Sequence, residues 1–360
     1  MDNLTHSLFG LTLAQTPLRR TGRGATLTLI VASNAPDSDI VVAMTRGGAA
    51  YLSAHRGSSH GPLGVIGLAV LAAGLVYAGY RWWEWRSRGR TAHHAPRAPF
   101  LSLMGLALIA TVAHALMDLP TPYGTRSLSP FDRTWYTVDW MPIIDVYLLG
   151  LLGAGLMAVP LKPTVRTLIA SIVLVLLAAN YGLRAELHAQ ALRRAIGGRL
   201  PTVVDAWPDV SWPKLPSDHP CPDEPCALTT AALPTFGSPF RWRIVRQFSN
   251  GYRLSEVNLL ADTEESIGWM PHDDGPLVEI ARQAAAPRTF LAFSRFPAAH
   301  VEHLGRETIV RMSDVRFLDV PIGRRVEEFR PGGFFTVTVR LDREGNILED
   351  RFGAGSGAGQ

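Results

Sequence analysis

Hydrophobic and polar residues occur in long separate blocks over the first half of the chain. From Gly61 to Tyr80 no charged residue interrupts an apolar stretch long enough to cross a bilayer, and arginines follow directly. Further apolar blocks run from about Phe100 to Met117, from Pro142 to about Leu161 and from about Val165 to Leu183. The pattern therefore predicts about four full membrane-spanning helices.

Two shorter apolar blocks precede these spans. Residues 4–16 and 25–35 are compatible with helices, and Arg19, Arg20 and Arg23 lie between them. Each block is shorter than the roughly 20 residues that a span needs. We expect a short N-terminal helical hairpin that dips into the bilayer. Because the chain opens without a positively charged segment and a cleavage pattern, we expect no removable signal peptide.

The pattern changes after Leu183. A charged, helix-compatible segment is followed by a proline-rich linker, and the later residues alternate as strands do, most clearly from Phe334 to Leu341. The fold class expected is therefore an α-helical integral membrane domain followed by a small α+β extracytoplasmic domain. The expected divisions are a membrane-embedded domain at 1–185, a charged helix and linker at 186–232, the α+β domain at 233–352 and a flexible tail at 353–360.

Composition supports a membrane protein and argues against a nucleic-acid partner. Hydrophobic residues make up 47% of the 360 residues and charged residues only 18%, which is too apolar for an ordinary soluble protein. The formal net charge is +4, but the positive residues are spread along the chain in short loops. The partner expected from composition is the lipid bilayer.

The arginine-rich loops also predict an orientation. If the loops around residues 19–23, 81–97 and 162–166 are cytoplasmic, the polar segments at the other helix ends face the opposite side. We therefore expect a multi-pass protein of the bacterial inner (cytoplasmic) membrane whose C-terminal domain is periplasmic.

Histidines and aspartates recur in those polar segments, and together they predict a metal site. His114 and Asp118 are four residues apart on one face of an apolar helix, where ionisable groups are costly and usually functional. The candidate ligands are His6, Asp37, Asp39, His55, His60, His114 and Asp118. Imidazole and carboxylate ligands suit zinc first, with manganese or iron as alternatives. Seven ligands exceed the need of one ion, so either two ions share carboxylates or some residues orient the ligands.

Three further residues are candidates for catalytic roles. Arg56, beside His55, has the fork geometry that holds a phosphate or carboxylate. Asp145 lies one turn into the apolar block that begins at Pro142, and Asp139 lies in the loop before that block, beside Trp140. Taken singly, most of these residues also fit ordinary polar positions at helix ends or in the membrane interface.

The C-terminal half offers no comparable cluster. Cys221 and Cys226 flank a short acidic segment, and a small disulfide is preferred for a linker outside the cytoplasm. A zinc site with His219 would lack a fourth ligand in the local sequence. His300 and His303 fit a solvated surface.

The N-terminal motifs resemble one family. They are Thr5-His6-Ser7, Pro36-Asp37-Ser38-Asp39, His55-Arg56-Gly57-Ser58-Ser59-His60, the His114 to Asp118 pair, Thr121-Pro122-Tyr123-Gly124-Thr125 and Ile143-Ile144-Asp145. In this order they look like the YdjM-type family of membrane-bound, metal-dependent hydrolases, over roughly residues 1–185. The resemblance implies an inner-membrane hydrolase, and a distant similarity to zinc-dependent phospholipase C favours phosphoesters. One departure is Gly61, where such proteins often carry a serine.

The leading hypothesis is a membrane-bound metal-dependent hydrolase that cleaves an ester or phosphoester at the extracytoplasmic face. Its substrate would be a small or lipid-like anionic molecule, for example a lipid or an envelope precursor. A transporter or proton-relay protein is the main alternative, because intramembrane ionisable residues serve that purpose too. A membrane-anchored scaffold without catalysis is the third.

Overall fold

The computed structural model describes residues 1–46, 48–87, 96–196, 205–206, 227–318, 326–328 and 335–353. The chain divides into two compact units. One comprises Met1–Val41 and Ala54–Glu186, and the other comprises Val42–Ser53 and Leu187–Gln360. Cys221, Cys226 and residues 354–360 of the expected tail lie outside the described residues, so their predictions stay predictions.

Helices account for most of the N-terminal half. They are α1 (Asn3–Leu13), α2 (Ala25–Asn34), α3 (Ile40–Arg46), α4 (Gly48–Ala54), α5 (Pro62–Arg86), α6 (Phe100–Asp118), α7 (Val146–Leu156) and α8 (Pro163–Ile196), with short 3-10 turns at Pro17–Thr21 and Ala35–Asp39. Among the described residues, α5, α6 and α8 are long and apolar enough to cross a membrane, with 25, 19 and 34 residues.

The third expected span contains a shorter helix than the sequence pattern indicated. Within the block from Pro142 to about Leu161, α7 has only 11 residues. Its start is fixed by Asp145, whose side chain accepts a hydrogen bond from the backbone of Leu148 at 2.8 Å, as N-cap residues do. Beyond Leu156 the chain turns until Pro163 opens α8. A fourth span stays a prediction.

Small residues allow the helices of the first unit to pack closely. Ala25, Ala73, Ala107 and Ala110 are completely buried in its apolar core. A methyl group on Gly10 of α1 would lie 2.9 Å from the carbonyl oxygen of Leu29 on α2, so these two backbones are almost in contact. Therefore α1 packs on α2 and α2 packs on α6, which brings His6 beside the end of α6.

The strands lie mainly in the C-terminal part of the chain. They are β1 (Tyr136–Thr137), β2 (Asp205–Ala206), β3 (Thr229–Pro234), β4 (Arg241–Phe248), β5 (Gly251–Asn258), β6 (Thr263–Pro271), β7 (Pro297–Leu304), β8 (Glu307–Asp314), β9 (Val326–Glu328), β10 (Thr336–Leu341) and β11 (Ile347–Phe352). One sheet has the order β3-β4-β5-β6-β9, antiparallel except for the parallel pair β6 and β9. A second antiparallel sheet has the order β11-β10-β8-β7.

Two short helices lie between β6 and β7. They are α9 (Pro276–Arg282) and α10 (Ala285–Leu291), and their apolar residues share a core with the second sheet. The alternation that indicated strands corresponds to buried residues such as Val337 and Val339, which face that core. The last turns of α8 contribute Leu187 to a further cluster around Trp242.

Candidate metal centre

Four of the predicted ligands meet at the ends of two long helices. Asp37, His60, His114 and Asp118 each offer a nitrogen or oxygen atom, and these four atoms lie within 4.8 Å of one another. His114 and Asp118 stand one turn apart at the end of α6, His60 lies two residues before α5 begins, and Asp37 lies in the 3-10 turn after α2. All four side chains are buried. Residues far apart in the sequence thus form one compact polar cluster.

Asp118 is the most connected member of the cluster. One of its oxygens, Oδ2, lies 3.0 Å from Nε2 of His60 and 3.4 Å from Nε2 of His114. The other, Oδ1, lies 3.3 Å from Nε2 of His6 and 3.1 Å from Nη2 of Arg56, and it also contacts the amino group of Met1. The guanidinium of Arg56 therefore offsets part of the cost of removing this completely buried carboxylate from water.

The orientation of His114 leaves Nε2 facing the cluster. Its Nδ1 atom lies 2.7 Å from the backbone carbonyl oxygen of Ser33, so Nδ1–H donates that hydrogen bond and Nε2 presents a lone pair. That Nε2 atom is 3.2 Å from Nε2 of His60 and 3.5 Å from Oδ1 of Asp37. His6 stacks on the ring, with centroids 3.7 Å apart. This arrangement matches the way that proteins hold metal-binding imidazoles.

A second group of ligands adjoins the first. Asp37, Asp39 and His55 bring ligand atoms within 4.8 Å of one another, so Asp37 belongs to both groups. Nδ1 of His55 lies 3.0 Å from Oδ1 of Asp39. The other oxygen of Asp39 accepts hydrogen bonds from the backbone of Arg56 at 3.0 Å and from the hydroxyl of Ser59 at 3.3 Å. Asp39 thereby folds the His55–His60 segment around the cluster.

Burial and neighbouring charges favour the protonation states that bind metals. Burial lowers the pKa of His60 well below its ordinary value, and the nearby His114 and Arg56 act in the same direction. Burial raises the pKa of Asp37, but the adjacent His114 and Arg56 outweigh this effect, so that pKa is lowered. The site thus holds a neutral imidazole beside an ionised carboxylate.

Arg56 enters the site through an unusual backbone conformation. Its φ of 50° lies in the left-handed region, and hydrogen bonds on both sides hold it there, since its backbone N–H binds Asp39 and its carbonyl accepts from Arg126 at 2.8 Å. The guanidinium binds Asp118, donates to the hydroxyl of Thr121 at 2.8 Å and lies 4.9 Å from the ring centre of Tyr123. Arg56 is buried against the cluster.

The structure gives the two other candidate catalytic residues different surroundings. Asp145 caps α7 and forms a buried ion pair with Arg184 of α8. Asp139 has a φ of 55° and hydrogen-bonds with the hydroxyl of Thr137 through both its backbone and its side chain. Neither belongs to the groups of possible ligands among the described residues.

Sequence reasoning missed several residues that hold the site. The carbonyl of Ser33 orients His114, and the hydroxyl of Thr121 joins Arg56 to the backbone of Asp118, to which it donates at 2.8 Å. A backbone carbonyl carries no sequence signal. Arg184 does carry one, because it directly follows the apolar block of α8, where a buried arginine needs a carboxylate partner.

The fold and the site together define a membrane-helical protein with a buried histidine and aspartate cluster. The family model of the YdjM inner membrane protein matches residues 1–188, more than half of the 360-residue chain, and the chain belongs to that family. All seven candidate ligands lie inside the matched region.

A curated relative is similar to part of the chain. The chain is 28% identical over 119 residues to the uncharacterized protein YfhP of Bacillus subtilis (strain 168). This match covers 33% of the chain and 32% of YfhP. The chain therefore matches about a third of the length of that relative. No solved structure matches the chain.

Proposed function

We propose that this protein is a metal-dependent hydrolase that cleaves an ester or phosphoester at the extracytoplasmic face of the inner membrane. The observation that carries the proposal is the position of Asp37 in both groups of possible ligands, each within 4.8 Å. A carboxylate shared by two ligand groups is the arrangement expected of a bridged two-metal site, whose ions are usually about 3.5–4 Å apart.

The residues present fit divalent metal ions. Oδ1 of Asp37 is buried without a hydrogen-bond partner among the described residues, although two imidazoles face it. An unpaired buried carboxylate oxygen is costly, and a cation beside it would remove that cost. The donors are nitrogen and oxygen only, which suits zinc, and also manganese or iron. In this proposal Asp37, His60, His114 and Asp118 would hold one ion, and Asp37, Asp39 and His55 would hold the other.

Bound divalent ions would supply a Lewis acid and lower the pKa of water. The chain's own residues have separate tasks around them. His6 packs on His114 and keeps that ring in place. Arg56 neutralises charge on Asp118 and keeps a fixed cation where an anionic substrate would bind. Asp139 and Asp145 lie outside the ligand groups, and in this proposal they hold the backbone that precedes α7 and the start of α7 itself.

The position of the cluster favours a hydrolase over a transporter. A transporter is expected to carry its ionisable groups near the bilayer midplane, beside broken helices. Asp118 is instead the last residue of α6, and His60 lies two residues before α5 begins. We extend the proposal to topology, with the arginine-rich helix ends in the cytoplasm and the C-terminal unit in the periplasm.

Metal content and hydrolysis in parallel test the proposal. The full chain is purified in detergent, loaded with zinc or manganese, and assayed with bis(p-nitrophenyl) phosphate and p-nitrophenyl butyrate. His114→Ala should lose metal and activity together, whereas His303→Ala, an exposed histidine of the C-terminal unit, should change neither. Full metal content in His114→Ala would remove that residue from the ligands. A metal-loaded wild-type chain that hydrolyses neither ester class would contradict the hydrolase proposal.

A further inference from the structure

One turn next to the metal cluster exposes two large apolar side chains. Leu128 is 47% exposed and Phe131 is 76% exposed, and the two residues are linked by a hydrogen bond of 3.0 Å from the backbone N–H of Phe131 to the carbonyl of Leu128. Single exposed apolar residues are common on proteins. Two of them on one tight turn form a projecting apolar tip, here called the Leu128–Phe131 turn.

Hydrogen bonds fix this turn to the site. Its Ser129 N–H donates to the carbonyl of Arg126 at 2.9 Å, and the N–H of Arg126 donates to the carbonyl of Arg56 at 2.8 Å. Arg56 in turn binds Asp118 at 3.1 Å. The apolar tip is therefore connected to the cluster through a short chain of backbone and side-chain contacts.

The turn also packs directly on the start of a long helix. A methyl group on Gly61, the residue before α5, would lie 1.8 Å from the carbonyl oxygen of Ser129. A side chain at this position would collide with the turn, so the absence of a serine at Gly61 has a physical reason here. The turn thus rests on the end of a span-capable helix.

The Leu128–Phe131 turn lies level with the ends of two span-capable helices, which is where a membrane boundary is expected. The span-capable helix α5 begins at Pro62, and the span-capable helix α6 ends at Asp118. Leu63 and Leu116, one or two residues inside these ends, are 56% and 62% exposed, as residues in contact with lipid are. A turn packed on Gly61 stands at the level where the apolar interior of a bilayer meets its headgroups.

The charges around the tip suit an anionic headgroup. The carboxylate of Asp132 is engaged within the loop, where it accepts hydrogen bonds from Thr134 at 2.7 Å and 2.8 Å and from the hydroxyl of Tyr136 at 2.6 Å. Arg133, the next residue, is exposed. The tip therefore presents apolar side chains with a cation beside them, the combination that anchors proteins in phospholipid interfaces.

We propose that the Leu128–Phe131 turn inserts into the bilayer interface and presents the metal cluster to a phosphoester carried by a membrane phospholipid. The inference rests on the proposed hydrolase function and narrows its substrate to a bilayer-resident amphiphile. In the reaction, water forms a bond to phosphorus, the P–O bond to one alcohol breaks, and that alcohol leaves with a proton from the water.

Insertion is tested first by a physical measurement that needs no activity. A nitroxide is attached at Phe131→Cys, in a chain with Cys221→Ser and Cys226→Ser, and the protein is placed in vesicles of phosphatidylglycerol and phosphatidylcholine. The label should collide more with lipid-soluble oxygen than with a water-soluble nickel chelate. The matched label at Leu304→Cys, 50% exposed at the end of β7, should show the reverse. Equal preference for the nickel chelate at both sites overturns insertion, and protection from both reagents points to a protein partner and overturns it too.

Activity then separates the substrate class from the hydrolase function. The double variant Leu128→Gln/Phe131→Gln should slow hydrolysis of a phospholipid in vesicles by about tenfold or more. Losing about half of the burial free energy of one such side chain already changes a binding constant by about tenfold. The variant's hydrolysis of soluble bis(p-nitrophenyl) phosphate should equal that of wild type. Leu304→Gln should leave both rates unchanged. Equal loss on both substrates, or no loss on vesicles, overturns the inference while the hydrolase function stands. If the wild-type chain hydrolyses neither substrate, the proposed hydrolase function itself is contradicted.

Discussion

The contact of α1 with α2 predicts the outcome of one small substitution, Gly10→Ala. The added methyl group would lie 2.8 Å from Oγ of Ser33, 2.9 Å from the carbonyl oxygen of Leu29 and 3.1 Å from Cα of Ile30. Two of these three atoms belong to the backbone and cannot rotate away. The helices must therefore move apart by several tenths of an ångström.

The size of the effect follows from two opposing contributions. Replacing a glycine inside a helix with alanine stabilises by about 0.5–1 kcal/mol. Forcing a methyl group into a packed contact costs about 1–3 kcal/mol. Overpacking outweighs propensity, so the free energy of unfolding should fall by roughly 1–2 kcal/mol, or a few degrees in melting temperature. Metal retention should fall as well, because α1 holds His6 beside Asp118.

Two matched glycine substitutions make the assay decisive. Gly67→Ala on α5 meets nothing within 4 Å and should be neutral or slightly stabilising. Gly155→Ala on α7 meets Val173 at 2.7 Å, so it should lower the melting temperature without loss of metal. The assay is thermal unfolding in detergent followed by elemental analysis. A Gly10→Ala protein that melts at or above Gly67→Ala would refute the close contact between α1 and α2.

Further predictions concern both units. Arg184→Met should destabilise the chain by about 3–5 kcal/mol, because it leaves the buried carboxylate of Asp145 without its ion-pair partner. Adding Asp145→Asn should recover part of that loss. An unchanged melting temperature in Arg184→Met would contradict the buried ion pair. Burial lowers the pKa of His272 to about 4, and its Nδ1 accepts the N–H of Ala299 at 3.0 Å. As pH falls, His272 takes up a proton in the unfolded chain at a higher pH than in the folded chain. The C-terminal unit should therefore lose up to about 3 kcal/mol of stability between about pH 6.5 and about pH 4. His272→Gln should reduce this loss, as measured by hydrogen exchange on β7. Arg56→Lys should retain the metal but lower turnover about tenfold or more, because lysine keeps the charge without the fork that joins two partners; unchanged turnover would leave Arg56 without a catalytic role.

The helical half could be predicted where a pattern is local. The span-capable helices α5, α6 and α8 follow from long uncharged blocks, and the pairing of His114 with Asp118 follows from helical periodicity. The length of α7 could not be predicted from the hydrophobic pattern. Hydropathy continues past its ends, whereas the helix begins where the Asp145 side chain caps it.

The site shows the same division between local and distant information. The residue types at His60 and Asp37 indicate metal chemistry, but their separation of 3.8 Å depends on how α2 and α5 pack. The partner of Asp145 lies on another helix, 39 residues away, and no spacing rule connects them. Sequence therefore identifies candidate ligands, and tertiary packing decides which of them meet.

We propose that Asp37, His60, His114 and Asp118 would hold a divalent metal ion. The decisive measurement is anomalous diffraction at the zinc absorption edge, from crystals of the full chain grown with zinc. We expect a peak about 2.0–2.1 Å from Nε2 of both His60 and His114, with carboxylate oxygens of Asp37 and Asp118 completing the shell. A second peak on the far side of Asp37, near Asp39 and His55, would be its bridged neighbour. Zinc bound elsewhere, with these four side chains bonded only to one another, would show that they do not form a metal site.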